Sequence, residues 1–343
     1  MEEKIYEYER LMKKRPHVVI LGAGASVATI PNGDKNGKKI SVMNGFIEKL
    51  GMTDILANAN LRTTSENLED IYSELDERLD CIEIKKELEN KIEKYFLNYE
   101  LPDSPTIYDF LLLSLTNKDL VATFNWDPLL LEAYQRVSRI TNNLPNLAFL
   151  HGNVAVGVCE KHKIGGYIYG MCHICNQKFS KVPLLYPVKQ KDYNNNLFIR
   201  DSWNALKNYL KRAYMVTIFG YSAPKSDESA IEMLKEAWGM VKDRNLEEIE
   251  IIDIREEEEL VKSWEDFIHT HHYSVHKDFF ESSLGKFPRR TCESLFDRTQ
   301  KCYWLDSEKG FKKDMNFNEL KEYLNELLED EKNNNGILKN PYL

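Results

Sequence analysis

The segment from His17 to Ser26, which reads HVVILGAGAS, constrains the fold more than any other part of the chain. The run from Val18 to Leu21 is short, rich in β-branched residues and free of charge, which predicts a strand covered on both faces. Gly22 and Gly24 follow at once, and glycine permits a tight turn in which backbone N–H groups approach a phosphate closely. An ordinary strand-to-helix turn is the alternative, since the chain lacks a third glycine at the dinucleotide spacing and the Lys-Ser/Thr pair of a P-loop.

Two later apolar runs end in polar clusters. The first, from Leu120 to Asp127, reads LVATFNWD, and the second, from Leu147 to Gly152, reads LAFLHG. Ligands of open α/β sheets bind at the carboxyl ends of the strands. We therefore expect both clusters to face one site.

Taken in order, the Gly-Ala-Gly-Ala-Ser turn, Thr-Phe-Asn-Trp-Asp, Leu-His-Gly and a following Cys/His pattern resemble the Sir2 (sirtuin) family. The resemblance extends from about residue 18 to residue 254. It implies that NAD is the substrate and that the catalytic residues are Asn125, Asp127 and His151. The NAD-binding residues that it implies are Gly22, Ala23, Gly24, Ser26, Gly220, Ser222 and Asp253.

The chemistry of NAD cleavage suits these residue types. Breaking the bond between nicotinamide and ribose passes through an oxocarbenium-like state, which requires an orienting amide, nearby negative charge and a proton acceptor. Asn125, Asp127 and His151 offer these groups in turn. Helix capping is the alternative for Asp127, because Pro128 after it is typical of a first helical turn.

A Cys/His pattern follows the second polar cluster. Cys159 and His162 form one close pair, and Cys172 and Cys175 form another. Two such pairs predict a structural, tetrahedral zinc site, since protein side chains fill all four positions. His173 is an alternative ligand to His162, and free thiols are the alternative to a metal site.

Composition limits the classes of function. The chain has 343 residues, a formal charge of -9 and a pI near 5.5, which disfavour generic binding to nucleic acid or to anionic membranes. No apolar stretch is long enough to cross a bilayer, and the first residues lack the form of a secretory signal. We expect a cytoplasmic protein without a disulfide framework.

The predicted fold class is α/β: a Rossmann-like parallel sheet with helices on both faces, a helical insertion and a small zinc-binding module. Apolar residues at helical spacing predict the insertion and favour its packing against the core. The predicted NAD-binding domain comprises residues 1–45 and 118–260, with the helical insertion at 46–117, the zinc module at 153–182 and a C-terminal helical extension at 261–343.

Departures from the family pattern bear on the reaction. Protein-deacylating sirtuins continue the glycine turn with Gly-Ile-Pro-Asp-Phe-Arg, whereas this chain keeps only Ile30 and Pro31 and places a bulky Trp126 between Asn125 and Asp127. These differences favour the divergent, prokaryote-type branch, which implies an NAD+ hydrolase that releases nicotinamide and ADP-ribose, in an anti-phage defence role. A protein deacylase or ADP-ribosyltransferase, and a non-catalytic NAD or ADP-ribose sensor, are the alternatives. The resemblance also implies control through homo-oligomerisation or a regulatory protein partner.

Overall fold

Two sheets organise the computed structural model. The strands are β1 (His17–Leu21), β2 (Leu120–Thr123), β3 (Asn146–Phe149), β4 (Val156–Cys159), β5 (Ile164–Tyr167), β6 (Ser180–Lys181), β7 (Met215–Phe219), β8 (Glu248–Ile252) and β9 (Tyr273–His276). The structure describes residues 12, 14–40, 45–187, 193, 196–223, 227–240, 244, 246–265, 267–268, 272–333 and 339–343. Residues 1–11 of the predicted first segment therefore lie outside the described residues.

The larger sheet has six parallel strands in the order β3-β2-β1-β7-β8-β9. Counted in chain order without β4–β6, this is the order 3-2-1-4-5-6 of doubly wound dinucleotide-binding folds. The chain builds the sheet outward from β1 in one direction and then from β7 in the other. The topological switch point therefore lies between β1 and β7.

Helices cover both faces of this sheet. They are α1 (Ala23–Thr29), α2 (Phe46–Lys49), α3 (Thr53–Ala57), α4 (Leu68–Glu77), α5 (Ile82–Leu97), α6 (Ile107–Ser114), α7 (Leu129–Val137), α8 (Leu197–Leu210), α9 (Glu228–Trp238), α10 (Glu257–Ser263), α11 (Ser283–Lys286), α12 (Thr291–Gln300) and α13 (Phe317–Asn333). Val19 and Leu21 of β1 pack with α1 to α7 and α13, while Val18 and Ile20 pack with α8 to α10. Successive strand residues point to opposite faces, so the charge-free run of β1 is buried on both, as the sequence predicts.

Residues 46–117 carry the helices α2 to α6. The apolar residues of α4 and α5 lie in the same core cluster as Val19 and Leu21, so these helices pack against the sheet domain. Leu79 and Ile82 depart from this pattern, with 87% and 42% of their surface exposed. A short 3-10 turn at Leu79–Cys81 interrupts the helical period there.

Strands β4, β5 and β6 form a separate antiparallel sheet in the order β5-β4-β6. The chain leaves the main sheet near His151 and returns at Leu185, whose N–H donates to the carbonyl oxygen of His151 at 2.9 Å. Gly152 has a φ of 74°, and a Cβ there would lie 2.1 Å from the carbonyl oxygen of Pro183. Only glycine therefore fits at residue 152, where the segment containing β4–β6 leaves the main sheet.

Residues 261–343 contain helices and also the edge strand β9, which the sequence did not indicate. Helix α13 buries Leu320, Leu324 and Leu327 against the core. Within the described residues, no helix combines the length and the apolar character that crossing a membrane requires.

Candidate functional site

Three glycines bring the turn after β1 against the end of β7. The N–H of Gly22 donates to the carbonyl oxygen of Phe219 at 3.0 Å, and the N–H of Gly24 donates to that of Gly220 at 2.9 Å. A Cβ on Gly22 would lie 2.5 Å from the carbonyl oxygen of Gly220, and one on Gly24 would lie 2.8 Å from the Cα of Gly220. Gly220 itself has a φ of 60°. The glycines are therefore required by close backbone contact at the switch point.

Asn125 is fixed by its amide nitrogen. Its Nδ2 donates to the carbonyl oxygen of Gly22 at 2.8 Å and to Ser26 Oγ at 2.9 Å, and lies 3.2 Å from the hydroxyl of Tyr108. These contacts use both amide protons and leave Oδ1 as the group that can accept a further hydrogen bond. Asn125 is half-buried, whereas Ser26 is buried.

The carboxylate of Asp127 serves two parts of the structure. Its Oδ1 accepts from the backbone N–H of Leu129 at 3.1 Å in the first turn of α7, while its Oδ2 accepts from Ser26 Oγ at 2.7 Å. Asp127 therefore contacts the first turn of α7, in line with the capping alternative, and also holds Ser26. Asp127 is only 3% exposed, and burial raises its pKa to about 6 although both hydrogen bonds oppose the shift.

His151 lies beside an aromatic ring, that of Phe124, and beside the carboxylate of Asp227. Its ring meets that of Phe124 edge-on, with 4.8 Å between the centroids. Its Nε2 lies 3.8 Å from Asp227 Oδ1, and the hydroxyl of Tyr221 donates to Asp227 Oδ2 at 2.9 Å. Asp227 directly precedes α9, but its side chain makes no capping hydrogen bond and lies beside His151 instead.

An ion pair between Asp253 and Arg255 follows the end of β8. Asp253 follows the strand, and its carboxylate accepts hydrogen bonds from Arg255, with Nε 3.1 Å from Oδ1 and Nη2 3.0 Å from Oδ2. The backbone N–H of Arg255 also donates to Oδ1 at 2.9 Å.

All ten predicted catalytic and nucleotide-binding residues line one cavity of about 570 Å³, a size typical of small-molecule sites. It extends along the carboxyl edge of the sheet. His151, Asn125, Gly22, Gly220 and Asp253 follow the successive strands β3, β2, β1, β7 and β8. The predicted residues on the cavity wall are Gly22, Ala23, Gly24, Ser26, Asn125, Asp127, His151, Gly220, Ser222 and Asp253.

Sequence reasoning missed part of the wall. The helical insertion contributes Phe46, Asn67, Glu69 and Phe96 to the cavity. Its apolar stripe predicted packing against the core, but the spacing carried no indication of which residues would reach a site. Other unpredicted lining residues are Phe124, Tyr221, Asp227 and Arg255. Phe124 lies inside the Thr-Phe-Asn-Trp-Asp motif, and Tyr221 lies between the predicted residues Gly220 and Ser222.

The four predicted metal ligands converge in the β4–β6 module. Their ligand atoms lie within 4.8 Å of one another. Cys159 Sγ is 3.7 Å from Cys175 Sγ and 3.6 Å from His162 Nδ1, and Cys172 Sγ is 3.4 Å from His162 Nδ1. Zn–S bonds of about 2.3 Å and Zn–N bonds of about 2.0 Å at tetrahedral angles place ligand atoms about 3.5–3.8 Å apart. The group therefore fits a structural zinc ion.

His162, not His173, completes this set, because His173 is exposed and lies outside the group. Burial opposes ionisation of the Cys172 thiol. The N–H groups of Cys175 and Ile174, with the neighbouring ligand side chains, outweigh burial and lower the pKa of Cys172 to about 6. A thiolate is the form that binds zinc.

Fold and site together define a Rossmann-like α/β protein with an elongated cavity at the switch point and a Cys3His module inserted after β3. No family model and no curated protein matches the sequence. Solved structures of Sir2 proteins do match it. One is described under the structural basis for the mechanism and regulation of Sir2 enzymes, with 14% identity, a TM-score of 0.40, and coverage of 88% of this chain and 99% of that one.

A Sir2 homologue in complex with NAD matches with 15% identity and a TM-score of 0.36, covering 84% of this chain and 93% of that one. A Sir2 protein bound to an acetylated peptide matches with 15% identity and a TM-score of 0.35, covering 87% and 98%. These structures carry the family name that the sequence motifs indicated. At such identity and TM-score, these matches do not assign a function to this chain.

Proposed function

We propose that this chain binds NAD along the carboxyl edge of its sheet and hydrolyses the bond between nicotinamide and ribose. The observation that carries the proposal is the position of the cavity, which crosses the switch point and extends over two strand ends on each side of the glycine turn. A dinucleotide has a similar layout, with a pyrophosphate between two nucleoside halves. The glycine turn suits the pyrophosphate, because Gly22, Ala23 and Gly24 line the cavity between its two halves with no bulky side chain among them.

Asn125 and His151 lie on one side of the turn and supply the groups that the reaction requires. The anchored amide of Asn125 presents Oδ1 to a ribose hydroxyl or a water molecule near the anomeric carbon. His151 accepts the proton that water loses as its oxygen bonds to that carbon. The bond to nicotinamide breaks with its electron pair, so the products are nicotinamide, ADP-ribose and a proton.

Asp127 and Asp227 act through their neighbours. Asp127 is buried behind Ser26, so we assign it the role of fixing Ser26 and, through it, Asn125. Asp227 orients His151 and stabilises its protonated form. Both are positioning residues.

The part of the cavity wall that the helical insertion contributes favours hydrolysis over transfer to a protein acceptor. Trp126 packs edge-on against Phe96 with 5.7 Å between centroids, and Phe46 lines the same cavity. Water needs no entry channel for an acyl-lysine side chain, so hydrolysis is compatible with a wall of bulky aromatic side chains.

The decisive measurement is NAD consumption by the purified protein without an acceptor, with nicotinamide and ADP-ribose followed by chromatography. Wild type, Asn125→Ala and His151→Ala are compared with Glu228→Gln, an exposed change on α9. Turnover in wild type and Glu228→Gln that both site variants lose supports hydrolysis. Turnover only with an acyl-lysine peptide or a target protein supports transfer, and NAD binding without turnover supports a sensor.

An enzyme that removes cellular NAD must be restrained until it is needed. We extend the proposal to an anti-phage effector that a partner or self-association controls. Cellular NAD should then stay constant when the chain is expressed alone and fall after infection, in a manner that His151→Ala abolishes. NAD loss on expression without any trigger would contradict this extension.

A further inference from the structure

The hydroxyl of Tyr108 lies behind the cavity wall, next to the amide that the proposed reaction uses. Tyr108 belongs to α6, in the last part of the helical insertion, and is fully buried. Its hydroxyl oxygen is 2.8 Å from Ser26 Oγ and 3.2 Å from Asn125 Nδ2. Ser26 and Asn125 line the cavity, whereas Tyr108 does not. Tyr108 can therefore act on the site without contacting a bound nucleotide.

The number of protons in this group fixes the direction of each hydrogen bond. Ser26 has a single hydroxyl proton, and the ionised carboxylate of Asp127, 2.7 Å away, can only accept it. The carbonyl oxygen of Gly22 also can only accept, so it takes one amide proton of Asn125 at 2.8 Å. Ser26 Oγ then has two lone pairs, which accept from the second amide proton, at 2.9 Å, and from the Tyr108 hydroxyl. Tyr108 is therefore a donor to Ser26.

Tyr108 keeps the proton that this hydrogen bond requires. Burial and the nearby Asp127 carboxylate raise the pKa of the Tyr108 hydroxyl, and they outweigh the opposite effect of its hydrogen-bonded neighbours. The pKa of Asp127 is about 6, so this carboxyl is ionised at pH 8. At that pH the hydrogen bonds point one way, from the Tyr108 hydroxyl through Ser26 to the carboxylate.

A buried ion pair fixes the start of α6, where Tyr108 lies. Asp109 Oδ2 accepts from the backbone N–H and the hydroxyl of Thr106, both at 2.7 Å. Arg136 of α7 donates through Nε to Asp109 Oδ1 at 2.9 Å, and Asp109 has no exposed surface. A side chain on a helix that is held in this way can fix the position of a neighbour.

We propose that Tyr108 is a positioning residue for nicotinamide release, which holds Asn125 through Ser26 so that the amide oxygen faces the reacting ribose. This inference rests on the proposed function. Without the hydroxyl, Ser26 Oγ loses a donor and the amide nitrogen of Asn125 loses one of its acceptors. The amide can then turn from its position, and a small displacement of an orienting group slows a reaction without preventing substrate binding.

Nicotinamide release at pH 8 by wild type, Tyr108→Phe, Ser26→Ala and the double variant tests this role. The assay is run with and without an acyl-lysine peptide, so it reports bond cleavage whichever acceptor completes the reaction. In Tyr108→Phe, kcat should fall by about 10- to 100-fold, while KM and the ADP-ribose affinity change by less than about threefold. Tyr72→Phe is the matched control, because it deletes another buried hydroxyl of the insertion, whose partner is Glu89 at 2.5 Å, and should leave kcat unchanged.

The double variant separates a positioning role from a structural one. If Tyr108 acts through Ser26, the combined loss in kcat should be smaller than the product of the two single losses by at least about threefold. A combined loss equal to that product, an unchanged kcat in Tyr108→Phe, or loss of ADP-ribose binding in that variant would overturn the inference and leave the proposed hydrolase intact. Absence of nicotinamide release from wild type would overturn the proposed function, and this inference with it.

Discussion

Asp227 Oδ1 lies 3.8 Å from His151 Nε2, although the two residues belong to loops that follow different strands. The hydroxyl of Tyr221 donates to the second oxygen of the same carboxylate, so Asp227 is held in place through the oxygen that does not face His151. Burial, together with proximity to Asp227, raises the pKa of Tyr221 well above its ordinary value, which keeps this hydroxyl a donor. A carboxylate fixed in this way can orient an imidazole and stabilise its cation.

Asp227→Asn should therefore slow NAD hydrolysis with little effect on substrate binding. We expect kcat to fall by about 10- to 100-fold, the usual cost of removing a carboxylate that supports a functional histidine, with KM changed less than about threefold. Glu228→Gln, one residue further along and exposed, is the control. An unchanged kcat in Asp227→Asn would exclude this role.

Gly24→Ala should damage both stability and nucleotide binding. The new Cβ would lie 2.8 Å from the Cα of Gly220, and neither backbone can move without disturbing the sheet. We expect a loss of about 1–3 kcal/mol in the free energy of unfolding and at least about tenfold weaker ADP-ribose binding. Urea unfolding and calorimetry measure the two effects. Gly165→Ala, whose Cβ would lie 3.2 Å from the Phe198 ring and 3.8 Å from the carbonyl oxygen of Gly157, should change both far less.

Zinc should bind with a stoichiometry of one and stabilise the β4–β6 module. Cys172→Ser removes one of four ligands, so elemental analysis of the purified variant should show most of the metal lost, and limited proteolysis should cut within residues 153–182. Cys302→Ser, an exposed cysteine outside the group, is the control. Full zinc retention in Cys172→Ser would show that this thiol is not a ligand.

The ionisation of His17 and that of Asp127 should change the free energy of unfolding with pH in opposite directions. Burial lowers the pKa of His17 to about 4, so the unfolded chain binds this proton more readily and stability falls as pH drops from 6.5 toward 4. Burial raises the pKa of Asp127 to about 6, so the native state binds the proton more readily there and stability rises over a similar range. Each contribution amounts to about 3 kcal/mol at about 1.4 kcal/mol per pKa unit.

His17→Gln removes the first contribution. The variant should be less stable than wild type at pH 7, because His17 also hydrogen-bonds Thr217 and Thr291, but the gap should narrow by about 3 kcal/mol on acidification to pH 4. Urea unfolding at several pH values measures this gap. A gap that stays constant would be inconsistent with a buried, neutral His17, and exposed His173→Gln should show no such trend.

The parallel sheet and its glycine turn could be predicted because their signals are local. A charge-free β-branched run predicts a strand buried on both faces, and polar residues at its end predict a ligand edge. The cysteine spacing likewise placed the metal ligands, and only the choice between His162 and His173 required the structure.

The remaining features depend on packing between distant segments. Phe46 and Phe96 reach the cavity because of the angle at which the insertion packs, which helical spacing does not encode. Asp227 directly precedes α9, but its carboxylate lies beside His151, which belongs to a distant segment of the chain. Strand β9 is only four half-buried residues long, too short for an alternation to stand out.

The cavity draws its walls from residues between Gly22 and Arg255. During synthesis the glycine turn emerges early, but the β7 and β8 segments that complete the cavity are made more than 190 residues later. A partly translated chain therefore has the glycine turn but not the β7 and β8 segments that complete the cavity. A domain acquires its function only when such distant segments have packed together. If the chain hydrolyses NAD, the cell that makes it is protected from each molecule until translation has passed the last strands of the sheet.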